Sequence, residues 1–191
     1  MLIRPADPQR DAQAVAGLIY DTDPYVFPFM FGRRARALPV LAQLFALKAN
    51  SFSHRYVTVA EADGEIAGML IGYEPRQIDK HAEEGDFKCV LSAFEQLLMI
   101  PKFWILQPFL DKSEITGRYI QNVCVAESHR GKGVGSGLIR HFCAQQPGAV
   151  WLDVEMGNKE NRAIYEHMGF RAVREIPIFL PGLGSIRMVR E

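Results

Sequence analysis

Arg130-Gly131-Lys132-Gly133-Val134-Gly135 holds the residue types and spacing best suited to chemistry in this chain. Alternate glycines let the backbone turn tightly and approach a ligand with no Cβ in the way, so that consecutive N–H groups can converge at a helix start. Such a convergence is an anion trap, and Arg130 and Lys132 add positive charge to it. Several ligands carry a suitable anion. A nucleotide P-loop closes on Gly-Lys-Ser/Thr, whereas Lys132 is followed by Gly133, so that motif fails. A dinucleotide fingerprint sets its glycines after an early strand, with an acidic residue about 20 positions on. Asp153 lies near that distance, but the glycines come after more than half of the chain. A glycine-rich turn with no ligand is the plain alternative.

The loop needs flanking elements to aim it. Tyr119 to Val125 is β-branched and aromatic enough for a buried strand, and Val134 to Gln145 sets Leu138, Ile139, Phe142 and Cys143 on one helical stripe. A second block follows, Val150 to Phe170, with Asn158, then Tyr165 seven residues on, then Gly169-Phe170. Strand, Arg-x-x-Gly-x-Gly, helix and this second block, in that order, resemble the GNAT superfamily of acyl-CoA-dependent N-acyltransferases. The two blocks cover Tyr119 to Phe170. The resemblance implies an α/β fold in one domain over residues 1–191. Its central twisted sheet would be mixed, mostly antiparallel, of about seven strands flanked by helices, and splayed at strands 4 and 5. A helical insertion would span about residues 75–117.

The resemblance also implies a chemistry. Acetyl-CoA, or another acyl-CoA, would lie in the V between strands 4 and 5. Val123, Cys124 and Val125 would line the pantetheine, Val123 and Val125 through their backbone. One of their N–H groups would polarise the thioester carbonyl. Arg130, Gly131, Lys132, Gly133, Val134, Gly135 and Ser136 would hold the pyrophosphate. Asn158 would bond the cofactor amide, although a plain helix cap would use the same side chain. Tyr165 is the candidate acid, since a phenol near pKa 10 can return a proton to a thiolate near 8.5. Gln121 stands where many such enzymes carry a glutamate, and it cannot take a proton. Glu155 and Asp153 are therefore the first candidate bases, with Glu74, Asp21 and Asp23 behind them; a water relay or an amine that arrives neutral would also serve. Substrate contacts are expected from Asp23, Tyr25, Phe27, Tyr73 and Gln121. In an ideal strand Asn122 and Cys124 face away from Gln121. Direct acetyl transfer to the primary amine of a small molecule or peptide, in a ternary complex, is the expected activity. A non-catalytic acyl-CoA sensor of the same fold is the alternative.

Composition sets bounds. The chain has 191 residues, room for one full core, and lysine plus arginine equal aspartate plus glutamate at 22 each, so no nucleic-acid partner is expected. Three cysteines without a CxxC, no metal-ligand spacing and no signal peptide suit reduced thiols in a cytoplasm.

Taken in order, Leu2 to Pro5 predicts a first strand and Asp7-Pro8 a helix start, with Val15, Ala16 and Ile19 in its buried stripe. Tyr25 to Phe31 is an aromatic loop, and Pro24 just before it and Pro28 within it predict irregular structure walling a pocket. A helix over about Arg34 to Lys48 follows, its N-terminal reach limited by Pro39. Tyr56 to Glu61 and Ile66 to Tyr73 predict a hairpin through Asp63-Gly64. Cys89 to Leu110 is apolar enough to raise a membrane span. Glu95, Lys102, Pro101 and Pro108 argue instead for two helices over a core or a homodimer interface. Arg171 to Ile176 and Ser185 to Arg190 close the chain as an antiparallel pair, joined through Pro177, Pro181, Gly182 and Gly184.

Overall fold

Strand β4, Arg118–Val125, runs through the middle of a seven-stranded sheet and carries the site. The computed structural model describes residues 1–177 and 184–191, so Pro181 and Gly182 lie outside the described residues. The remaining strands are β1, Leu2–Pro5; β2, Val57–Ala62; β3, Glu65–Tyr73; β5, Val150–Glu155; β6, Arg171–Pro177; and β7, Gly184–Arg190. Their order across the sheet is β1-β2-β3-β4-β5-β7-β6. Among the described residues only β4 and β5 pair in parallel. The β2–β3 connection is the two-residue turn expected: Asp63 at φ 54° and Gly64 at φ 80° match the left-handed pair that lets a tight hairpin follow the sheet's twist.

Helices cover both faces. On one side lie α1, Ala12–Asp21; α2, Val26–Phe31; and α3, Arg34–Ala46, over a core of Ile19, Leu41, Phe45, Met69 and Ile71. On the other lies α6, Val134–Ala144, numbered after α4, Lys80–Val90, and α5, Ala93–Leu110; its Leu138, Ile139 and Phe142 pack on Leu70, Ile120 and Leu152. Each such fully buried side chain removes about 1.5–3 kcal/mol of apolar exposure from water. Last comes α7, Lys159–His167, which has no fully buried residue and meets the second core only through its inner edge at Tyr165.

Several expectations need correction. Helix α1 begins at Ala12, because the Asp7 carboxylate accepts from the N–H groups of Gln9 and Arg10 and holds a separate turn ahead of it. Tyr25 to Phe31 is mostly helical: Pro28 falls in the first turn of α2, where its missing N–H would have found no partner anyway. Pro39 lies inside α3 and does not bound it. Residues 93–110 form one helix, α5, started by a capping box between Ser92 and Glu95 and running through Pro101 and Pro108. Both prolines are exposed, so the carbonyls they leave unpaired can reach water. No helix among the described residues is long and apolar enough to cross a membrane.

Candidate functional site

Pairing between β4 and β5 covers only Arg118–Val150, Tyr119–Trp151 and Ile120–Leu152. Beyond Ile120 and Leu152 the strands part. Each is still held from outside, β4 by β3 as far as Val125 and β5 by β7 as far as Glu155. The opening starts at a bulge: Ile71 faces Asn122 and Gly72 faces Ile120, which leaves Gln121 as the extra residue of β4. Bulges bend and overtwist a strand, and this one bends β4 where its parallel partner is lost.

The V is lined by main-chain donors. Ala126 N–H bonds Ala67 O across to β3 at 2.9 Å. Amides alternate along a strand, so those of Val125 and Val123 turn the other way, toward β5 and into the gap. At the mouth lies the glycine loop. Gly131 and Gly133 have φ of 73° and 77°, and Gly133 caps α6 in the left-handed conformation. The first amide of the helix to find an acceptor is that of Gly137, on Gly133 O at 2.9 Å. Those of Gly131 through Ser136 have no protein acceptor among the described residues. A Cβ at Gly135 would come within 3.3 Å of Val125, so glycine is what lets the helix start sit against the strand. Arg130 Nε reaches Val125 O at 3.4 Å and Lys132 Nζ reaches Ser128 O at 3.0 Å, which keeps both cations beside the loop.

On the far side of β4 an open cleft of about 470 Å³ lies between the strand's end and the α1–α2 connection. Asp21, Pro24, Pro28, Cys124, Glu127 and Arg130 are among the residues that line it. Asp21 also pairs with Arg34. Burial pushes the Cys124 thiol up to about 11, and the Asp21 charge adds to that shift.

The predicted side chains are dispersed more than the motifs implied. Tyr165 packs edge-on against Phe170 with ring centroids 6.1 Å apart, and burial raises its pKa; its hydroxyl has no partner among the described residues. Asn158 caps α7, its Oδ1 accepting from Asn161 N at 3.0 Å, so only its amide NH₂ is left for a ligand. Tyr73 is buried and donates from its hydroxyl to Gln121 Oε1 at 2.5 Å. The bulge also cancels the expected alternation: Cys124 joins the core of Tyr73 and Tyr119, which puts Gln121, Asn122 and Cys124 on one face. Asn122 Oδ1 is buried there without a partner. Asp23 caps α2 through the N–H groups of Tyr25 and Val26, Tyr25 projects into solvent, and Phe27 stacks in the core on Phe31.

Asp153 is a correction. Its carboxylate is buried between Lys112 Nζ at 2.6 Å and Arg187 Nε at 2.9 Å, and the Tyr119 hydroxyl donates to it at 3.1 Å. Burial alone would raise its pKa, but Arg187 and Lys112 outweigh it and hold the carboxyl below the usual range. A carboxylate engaged in this way is a poor proton acceptor. Glu155 is exposed at the open end of β5, and Glu74 sits away from the V at the end of β3. Sequence reasoning missed Glu127, which is unremarkable in sequence until the fold brings the α1–α2 connection against the end of β4; Pro24 and Pro28 line the cleft, as expected of prolines that wall a pocket.

The profile of the Acetyltransferase (GNAT) family matches residues 21–170, which spans the cleft, the V, the glycine loop and α7. This chain belongs to the GNAT acetyltransferase family. Solved structures share its fold. An N-acetyltransferase from Staphylococcus aureus Mu50 superposes with a TM-score of 0.77 at 14% identity, covering 99% of this chain and 100% of its own. A histone acetyltransferase HPA2 and related acetyltransferase from Corynebacterium glutamicum gives 0.63 at 21% identity over 98% and 94%. Naa20 of Chaetomium thermophilum, solved with a bisubstrate analogue, gives 0.53 at 18% over 100% and 86%. No curated protein sequence matches the chain. The GNAT fold thus accounts for the split of β4 from β5, which is the feature that organises this site.

Proposed function

We infer that this GNAT protein transfers an acetyl group from acetyl-CoA to a primary amine, both bound at once. The observation that carries the reading is the gap between β4 and β5, with the Val123 and Val125 amides turned into it and six unpartnered amides, Gly131 to Ser136, at its mouth. Those residues fit the group. Converging amides and a helix N-terminus suit a pyrophosphate, while strand amides turned out of the sheet into the gap suit an amide-bearing extended arm. When bound, acetyl-CoA supplies the acyl group as a thioester.

The chain's own groups supply the rest. The Val123 or Val125 N–H is placed to stabilise negative charge on a carbonyl oxygen in the V. Tyr165 keeps its proton at Oη, since burial raises its pKa, and can give it to a departing thiolate. Glu127, and Asp21 where it is not held by Arg34, offer an ammonium group carboxylate partners at the cleft. With Asp153 locked between two cations, Glu155, Glu127 and the Arg34-paired Asp21 are the carboxylates left to remove a proton from the amine, directly or through water.

A second reading is favoured by one observation: Gln121, at the apex of the V, is held by Tyr73 and cannot act as a base, as a non-catalytic acyl-CoA sensor would allow. Release of free thiol from acetyl-CoA with a panel of primary amines separates the two. Amine-dependent release supports transfer, and tight CoA binding with no release under any amine supports the sensor.

A further inference from the structure

Helix α5 is apolar on both sides, a pattern that in a water-soluble fold requires both sides to be covered. Its inner side is: Met99 and Leu106 are buried in the first core, Glu95 pairs with Arg36, and Lys102 donates to Met30 O. Its outer side is bare. Phe94 is 68% exposed and Trp104 78%, and Leu97, Leu98, Ile100 and Ile105 are exposed as well. At about 150–250 Å² per aromatic side chain, Phe94 and Trp104 alone leave roughly 220–370 Å² of apolar surface in water, and the exposed aliphatic residues beside them add to it. Monomers seldom expose contiguous apolar patches beyond a few hundred Å², whereas one partner of a standard interface contributes about 800 Å².

The spacing of the stripe says what would cover it. Phe94, Leu97, Leu98, Pro101, Trp104, Ile105 and Pro108 fall seven, four and three positions before Pro101 and the same numbers after it. All lie within one stripe about 120° wide at 100° per residue. Such a stripe reads the same from either end. We propose that the outer face of α5 pairs with the same face of a second copy of this chain, the two helices antiparallel across a two-fold axis at Pro101. In that register Leu97 meets Ile105 of the second copy, Leu98 meets Trp104, and Pro101 meets itself, which is the self-complementarity an isologous contact demands. Neither charge of α5, Glu95 or Lys102, lies on this face, so none is buried unpaired.

A lipid surface fits less well. Helix α5 offers no basic flank, and neighbouring α4 carries Glu83, Glu84 and Asp86 against Lys80 and Lys88. Pro101 and Pro108 also deprive the Leu97 and Trp104 carbonyls of their usual donors, a poor match for hydrocarbon.

Sedimentation velocity on the full chain tests the proposal, beside Leu97→Glu and Trp104→Glu variants whose folding is checked by circular dichroism. Wild type should sediment at twice the chain mass and the folded variants at the single-chain mass. Pro101→Cys in a Cys89→Ser background should cross-link to a second copy on mild oxidation, while Leu110→Cys in the same background should not. A wild-type protein that stays at single-chain mass up to about 100 µM, a folded glutamate variant that remains double, or absent cross-linking through Cys at 101 overturns the proposal. So does single-chain wild type that co-sediments with phosphatidylcholine–phosphatidylglycerol vesicles.

Discussion

Gly133→Val separates ligand binding from stability at the residue where the two are easiest to tell apart. Gly133 has φ 77° and caps α6, and nothing lies within 4 Å of a Cβ built on it. A left-handed non-glycine residue costs about 1–2 kcal/mol, with no packing cost added. For a chain of this size that lowers Tm by roughly 2–8 °C. The same side chain would stand over the free amides of the loop. Displacing the ligand from one charge-assisted hydrogen bond costs about 1.5–3 kcal/mol, so CoA should bind roughly 10- to 150-fold more weakly by titration calorimetry. Gly148→Val is the matched control: φ is 117°, its Cβ would also meet nothing within 4 Å, and it lies in the connection between α6 and β5. It should lose similar stability and keep its CoA affinity. Unchanged affinity in Gly133→Val, or an equal loss in Gly148→Val, would refute the assignment of the loop.

Tyr165→Phe should lower the transfer rate about 100-fold or more while leaving CoA affinity nearly unchanged; equal turnover in the two proteins removes Tyr165 from proton transfer. Asp153→Asn leaves Lys112 and Arg187 buried without their counter-charge and should cost about 3–5 kcal/mol in chemical denaturation at pH 7. Because the folded pKa of Asp153 is depressed, its stabilisation is complete above the unfolded value near 3.9 and fades as pH falls through the folded one. The difference between wild type and Asp153→Asn should therefore shrink below about pH 4, and a constant difference would contradict the cluster. Cys124, with its thiol near 11, should resist iodoacetamide at pH 8 while exposed Cys89 reacts, read by peptide mass mapping. Of Glu155→Gln, Glu127→Gln and Asp21→Asn, the one that removes the base should abolish the rise of rate with pH, and loss of that rise in none of them would leave a water relay.

Local chemistry made much of this molecule legible in its sequence. Asp63-Gly64 specifies its hairpin through backbone conformations that few other pairs adopt, and the alternate glycines before α6 specify a ligand-facing loop for the same reason. The prolines misled where position outweighs propensity: Pro28 costs nothing in a first turn, and Pro101 and Pro108 are tolerated on an exposed helix face. Asp153 read as a candidate base because the partners that neutralise that role, Lys112 and Arg187, lie 41 and 34 residues away in sequence. The bulge at Gln121 left no sequence signal, since it is set by how β3 and β4 register, and with it went the expected facing of Asn122 and Cys124. Glu127 joins Pro24 and Pro28 at the cleft only through tertiary proximity.

The central claim concerns amides that wait for a ligand in the gap between β4 and β5. Nitrogen-15 NMR of the free protein, repeated with saturating CoA, reads them one by one. The N–H signals of Gly131 to Ser136, with those of Val123 and Val125, should shift and their exchange with water should slow by at least about tenfold on binding. Shifts confined to other residues, or unchanged exchange at these eight, would contradict the account.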